Sequence, residues 1–320
     1  MNTKLYSLEQ HLLQLDIPNS NTLDNITFLY NGSESILQAT WNLLKALGTL
    51  ISDIIAAIKN ILVKIYRWIE FKFHTASSNC RIISSKRSKQ DYKTKVDSIV
   101  FDKGIPKSTL INYLISTTNA IKLLQQLINE ANIVKQIEEL DNLEQNDDGQ
   151  YLRITNCPLE ETKIRPLKAQ LDALGISVDI TKTQTIGNFI FLEDCKVSTR
   201  SDFATHFVQS QTLAQLGYTV DDVLKIYPKE FTNAYKSIDT VHDYISQLTN
   251  FRKQLDKLYE KVVKANNPGD VSNTNHKVNR CKLLSKNLFI CAQIYTALLN
   301  SLTEPTNYFT ELTNVLANAI

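Results

Sequence analysis

The sequence is poor in residues that break helices and in residues that do chemistry. Eight glycines and seven prolines in 320 residues are too few for a turn-rich β architecture and favour helices. The histidines are His11, His74, His206, His242 and His276. No two lie within thirty residues of each other, which excludes a local metal pair of the HxxxH kind. The five cysteines, Cys80, Cys157, Cys195, Cys281 and Cys291, are odd in number and lack CxxC. That pattern predicts reduced thiols serving as small core residues in an intracellular setting. GxGxxG, GxxxxGK and GxSxG patterns are absent, so no motif points to a nucleotide or hydrolase site. Charge of one sign is not in excess either: the net charge of +2 sets up no global field toward nucleic acid. The adjacent carboxylates Glu138-Glu139, Glu160-Glu161 and Asp221-Asp222 read better as helix N-terminal charge or solvated faces than as acid–base pairs. The expectation is a chain that is not an enzyme, with no cofactor and no metal.

What the chain does have is one long apolar stretch, Ile36 to Phe73, with no proline and a single glycine. Steps of four and three give a seam of Leu37, Trp41, Leu44, Gly48, Ile51, Ile55, Ile58, Leu62, Ile65 and Ile69. A second seam runs beside it through Leu43, Leu47, Leu50, Ile54, Ala57, Ile61, Lys64 and Trp68. Such spacing places residues on one side of a helix, and two adjacent seams make a face wider than a two-stranded coiled coil needs. At about 1.5–3 kcal/mol for each fully buried Leu or Ile, this face requires a partner.

Three kinds of partner compete. A membrane span is disfavoured by Asp53, Lys59 and Lys64, which cost more than the apolar residues return on an insertion scale. A helix lying in a membrane surface fits better, with Lys45, Lys59, Lys64, Arg67 and Lys72 against Asp53 and Glu70, and a tryptophan toward each end. The strongest reading is the central helix of a bundle, packed on the chain's other helices or on copies of itself.

The N-terminal MNTKLYSLEQHLLQLD lacks a charged-then-apolar secretory pattern. It reads as a short polar helix ending before Pro18, and Asn31 with Glu34 resembles a capping box ahead of the long helix. Beyond the helix, Lys72–Lys95 is basic and serine-rich, with a patch of Arg81, Lys86, Arg87, Lys89, Lys93 and Lys95. It reads first as a solvated linker, with contact to DNA or anionic lipid as the functional alternative. A helix from about 107 to 143 ends in an acidic run through Glu138, Glu144 and Asp148. Mutual attraction of these opposite patches, within a chain or between copies, is the simplest use of both.

Residues 150–197 change character. A strand at Tyr151–Thr155, a helix at Ile164–Leu174 stopped by Gly175, and strands at Ile176–Thr181 and Ile186–Leu192 around Gly187 make a small β-α-β-β module. From Ser201 a fifteen-residue helix ends at Gly217, Thr219 caps a short helix, and Pro228 opens one running to about Ala265. Residues 266–270 form a loop. Cys281, Leu284, Leu288, Cys291, Tyr295, Leu298 and Leu302 then mark a helix that should pair antiparallel with the one before it. A last helix follows Pro305.

The fold expected is mainly α, a long-helix bundle with a small α+β insertion in the middle of the chain. Its divisions are a leader at 1–34, a helical domain at 35–149, the module at 150–198 and a C-terminal helical domain at 199–320.

A short N-terminal segment, a Trp-containing amphipathic helix (Trp41, Trp68), the basic stretch and helix after it, and the closing pair of long helices together resemble the internal head proteins of large tailed bacteriophages. The resemblance covers most of the chain in layout. It implies a non-enzymatic virion structural protein in the virion interior, made in the host cytoplasm, with other virion proteins or its own copies as partners. It also implies trimming after a small-x-Glu or aliphatic-x-Glu triplet. Ser7-Leu8-Glu9, Gly32-Ser33-Glu34 and Ile137-Glu138-Glu139 match that pattern, and a cut after Glu34 would release the long helix from its leader. The near-neutral net charge departs from a dedicated DNA condenser. The competing expectation is a membrane-active protein, a pore former or lipid-surface effector, that uses the 36–73 helix.

Overall fold

The computed structural model describes residues 36–131, 161–186, 189–200, 203–264 and 269–319. In chain order these form α1 (Ile36–Lys86), α2 (Gln90–Ser98), β1 (Val100–Gly104), α3 (Lys107–Ala131), α4 (Glu161–Asp172), β2 (Ile176–Ile186), β3 (Phe189–Thr199), β4 (Val208–Thr212), α5 (Val220–Ile226), α6 (Thr232–Ser237), α7 (Thr240–Lys264) and α8 (Gly269–Ala317). The chain is mainly helical, with a small antiparallel strand portion in its middle, as the sequence pattern predicts.

Two helices, α1 with 51 residues and α8 with 49, form the spine. They run parallel. Thr310 Oγ1 donates to the Lys72 carbonyl (3.3 Å), Asn79 Nδ2 to Thr313 Oγ1 (3.3 Å), and Lys86 Nζ to the Ala317 carbonyl (2.9 Å). Each helix advances along its partner in the same direction. The other two long helices run the opposite way and follow one another along the spine. Tyr308 Oη of α8 donates to the Ile105 carbonyl at the start of α3, and Tyr295 Oη reaches Gln125 near its end. Gln247 Nε2 of α7 donates to Asn129 Oδ1 in the last turn of α3 (2.7 Å). Further along, Arg252 Nε of α7 donates to Ser52 Oγ of α1 (2.6 Å).

The hydrophobic spacing explains this arrangement. Along α1, Leu62, Ile65, Ile69, Ala76, Cys80 and Ile83 are all buried at helical spacing. The apolar seam therefore does not stop at Phe73. It passes through the basic stretch, and α1 continues to Lys86 where composition suggests a linker. The rest of that stretch is α2, held by buried Tyr92 and Val96.

Along α8 the buried seam is Leu288, Cys291, Tyr295, Leu298, Leu302, Phe309, Leu312 and Leu316. Pro305 falls on this seam between Leu302 and Phe309, is itself buried, and lies inside the helix. The expectation of a separate helix after Pro305 is thus corrected. Burial on both sides of the proline outweighs the one backbone hydrogen bond it removes. The expected antiparallel pairing of α7 and α8 holds: Tyr244 Oη of α7 donates to the Leu288 carbonyl, and its ring lies 5.0 Å from that of Tyr295.

Strand β1 pairs antiparallel with β4, Val100 opposite Thr212 and Gly104 opposite Val208. Neither strand is legible as one in the sequence. The fifteen-residue helix expected from Ser201 is instead a single 3-10 turn at Phe203–His206 followed by β4. Gly104 is glycine for a steric reason: a Cβ there would lie 2.4 Å from Leu216 Cδ1, and Leu216 is buried. β2 and β3 form the predicted hairpin, each eleven residues long and so longer than expected, with a register shift around Lys182. Helix α4 ends ahead of Gly175, which has φ of +70°, the left-handed conformation that glycine adopts without a Cβ penalty. The expected strand at 151–155, the leader at 1–34, the 132–143 end of the expected helix and its acidic run beyond Glu130 lie outside the described residues.

The single helix expected from Pro228 to Ala265 is divided. A π turn covers Tyr227–Phe231, α6 follows, and α7 begins at Thr240. Phe231, Ala234 and Ile238 stand at three-four spacing ahead of the break and are all buried, as are Val241, Tyr244, Leu248 and Phe251 beyond it. One buried cluster runs from Ile61 to Ala317 and draws on α1, α3, α4, β2, α6, α7 and α8.

Candidate functional site

The long-helix seam is largely internal where its side chains are described. Leu62, Ile65 and Ile69 are buried, and Ile55 and Trp68 pack against the core. The side chains of Leu37, Trp41, Leu44, Ile51 and Ile58 lie outside the described set, as does the candidate processing residue Glu34. Ile61 of the second seam is also buried. From Ile61 to Ile83 the face that a membrane or a partner helix would need is therefore occupied by the chain's own helices. No described helix is long and apolar enough to cross a membrane.

The basic patch has two fates. Lys86 and Arg87 are tied inward and sideways: Lys86 Nζ caps the last turn of α8 at the Ala317 carbonyl, and Arg87 Nη1 meets Asp221 Oδ1 at 3.0 Å. A cation at a helix C-terminus is favoured by the dipole there. Arg81, Lys89, Lys93 and Lys95 are exposed. Patch residues thus come from the end of α1, its following turn and α2, and the structure brings them to one end of the spine.

The carboxylate pair Asp221-Asp222 has the structural use expected. Thr219 Oγ1 accepts from the Asp222 amide (3.1 Å), and the Asp222 carboxylate accepts from the Thr219 amide (3.0 Å), which completes a capping box for α5. Lys107 Nζ at the start of α3 lies 3.2 Å from the same carboxylate. Burial alone would raise the Asp222 pKa. The Thr219 amide and hydroxyl and the Lys107 ammonium outweigh it and hold the group below the ordinary carboxylate value. A group held low in this way adds stability above its unfolded pKa, and that stability is lost as pH falls through the folded value. Thr219→Ala should therefore cost about 1 kcal/mol near neutral pH, read from urea unfolding. The cost should shrink in acid once Asp222 is protonated in both proteins. An undiminished cost at low pH would show that the carboxylate takes no part in the cap.

The described thiols Cys80, Cys195 and Cys291 are buried. Burial pushes the Cys80 thiol up to about 12, so it stays protonated at neutral pH and is a poor nucleophile. Of the histidines, His74, His206 and His242 are exposed, and the side chains of His11 and His276 are outside the described set. Among the described residues no group of three or more His, Cys, Asp or Glu is placed to hold a metal.

Sequence reasoning missed the aromatic cluster where α1 meets the π turn and α6. Phe73 stacks on Tyr235 (4.2 Å, 12°), Tyr227 (5.4 Å, 28°) and Phe231 (5.8 Å, 15°). Next to it Tyr66 Oη donates to Asp239 Oδ1 (3.3 Å), and its ring meets His242 edge-on at 4.9 Å. The hydrogen bond to Tyr235, burial and the nearby Asp239 and Glu70 charges keep the Tyr66 hydroxyl well above its ordinary pKa. Phe73, Tyr235 and Leu302 line a shallow apolar recess with no room for a water molecule. The cluster packs elements together and offers no cavity for a substrate. Its one sequence signal is the aromatic spacing Tyr227, Phe231, Tyr235, which repeats every four residues.

Comparison with family models, with curated proteins and with solved structures finds no match to the chain.

Proposed function

We propose that this chain is a non-enzymatic structural protein that acts through assembly, in the manner of the internal phage head proteins it resembles in layout. The observation that carries the reading is the parallel pair α1 and α8, two helices of 51 and 49 residues. At 1.5 Å per residue each is roughly 75 Å long. Groups that elsewhere do chemistry serve here to tie elements to this spine: Asn79 to Thr313, Lys86 to Ala317, and Tyr92 Oη to the Leu316 carbonyl. A long rod whose apolar face is closed inside from Ile61 to Ile83 suits a spacing part better than a catalyst.

The test is fractionation from the native source, with intact mass and N-terminal mapping of the recovered chain. Recovery in virus particles is expected, with a mature start at Ser35. Recovery as a soluble full-length monomer, apart from particles, would overturn the proposal. Recovery with membranes would favour the lipid-surface reading. Binding to anionic vesicles would then have to weaken when Ile54 and Ile58 are replaced by Asp.

A further inference from the structure

Between Lys59 and Arg81 the exposed charges on the outward side of α1 are all positive. Lys59, Lys64, Arg67 and Arg81 are exposed and fall on the side opposite buried Leu62, Ile65, Ile69 and Ile83. None of the four has a carboxylate partner among the described residues. Between Lys59 and Arg81 the sequence holds a single acid, Glu70, and it is half-buried. Exposed His74, Ser78 and Ser84 lie along the same side. Past the helix end Lys89, Lys93 and Lys95 are exposed as well, with Asp91 and Asp97 the exposed acids of that segment. The global charge of +2 hides this local concentration.

We infer that this strip is a binding rail for a nucleic-acid duplex, held through phosphates without reading of bases. Lysine, arginine and serine donors are the groups that contact phosphate oxygens, and they stand on a rigid helix. Lys59 to Arg81 spans roughly 33 Å, about one turn of B-DNA. A lipid surface is the weaker match. Among the described side chains of α1 the large exposed apolar residues are Phe71 (66% exposed) and Ile82 (40%), eleven positions apart, where a membrane helix needs a continuous apolar face. A single strand is the weaker match as well, since Phe71 is the one exposed aromatic on the strip and single strands are held by arrays of stacking rings. The inference stands on the geometry of α1 and does not depend on the assembly reading.

The experiment is fluorescence anisotropy of the full chain with labelled DNA and RNA duplexes across a salt series. Four phosphate contacts predict a slope of log affinity against log salt of about −3.6 for DNA. Lys64→Glu/Arg67→Glu/Arg81→Glu should flatten that slope by about three and weaken binding at least about tenfold. A control with the same change in net charge, Lys196→Glu/Lys225→Glu/Lys257→Glu, places its changes at exposed lysines on β3, α5 and α7 and should bind within about twofold of the parent. Circular dichroism checks folding. If charge reversal disturbs it, the Gln triple at the same three sites should give the same slope loss at smaller amplitude. Equal weakening by both Glu triples would overturn the rail, as would binding to phosphatidylserine vesicles without duplex binding, or binding to neither.

Discussion

Ile65→Asp should leave the chain unable to hold its native fold. Ile65 is 1% exposed in the middle of α1, where α1 contacts both α7 and α8. Losing the burial of an isoleucine costs about 1.5–3 kcal/mol, and an unpaired carboxylate in that interior costs several more. The sum, about 5 kcal/mol, is comparable to the whole stability of an ordinary domain. The expected result is loss of the cooperative unfolding transition, with recovery in aggregates. The substitution separates two pictures of the long helix. If its apolar face were a docking surface for lipid or a partner, the isolated variant would stay folded and lose only binding. A folded, monomeric Ile65→Asp with parental unfolding would remove the core assignment of this face. Arg67→Asp, two residues on and exposed, is the matched control and should change stability by less than about 0.5 kcal/mol.

The second large effect is expected at Phe309. Its side chain is fully buried on α8 and its ring lies 4.7 Å from that of Phe231 in the π turn. Phe309 is therefore a contact between the spine and the segment that covers it. Phe309→Ala should cost about 3–5 kcal/mol, from lost burial and from a cavity that helical walls close only in part. Phe231→Ala shares the same contact, so the double variant should cost less than the sum of the two singles. Strict additivity in the unfolding midpoints would mean that the two rings are not energetically coupled. A cost below about 1 kcal/mol at Phe309 would mean that this end of α8 does not pack as described. Because Phe309 lies four residues past Pro305, the same experiment tests whether α8 is one rigid element across the proline.

Several elements are legible in the sequence because the information is local. The spacing of Leu62, Ile65 and Ile69, the Thr219 cap of α5, Gly175 after α4, and the β2–β3 hairpin each depend on residues within a few positions of one another. Helix periodicity, side-chain capping and the conformational freedom of glycine act at that range. The candidate site is legible only in part. The cations Arg81, Lys89, Lys93 and Lys95 stand out in the sequence, but their continuity with Lys59, Lys64 and Arg67 does not, because the apolar stretch thins out at Phe73. Composition places the helix end there, whereas the buried Ala76, Cys80 and Ile83 carry the helix on.

The remaining misreadings share one cause: a distant partner decides the local state. β1 and β4 have little strand character of their own and are strands because Val100–Gly104 and Val208–Thr212 meet, more than a hundred residues apart in the chain. Pro305 is a helix breaker by local chemistry, yet the seam on both sides of it is buried. The division of Pro228–Ala265 places Phe231 against Phe309 and Phe73, contacts that no local window contains. By itself the sequence determined that the chain is mainly helical, where α1, α3, α5 and α8 begin, and that one face of the long helix must be covered. The tertiary structure alone decided what covers it: α8 running parallel and α7 antiparallel, with α5, the π turn and α6 beside them. The reason is that periodicity specifies a buried face, while the choice of partner depends on shape and on polar ties such as Asn79–Thr313 and Lys86–Ala317 that arise only between elements far apart in the chain.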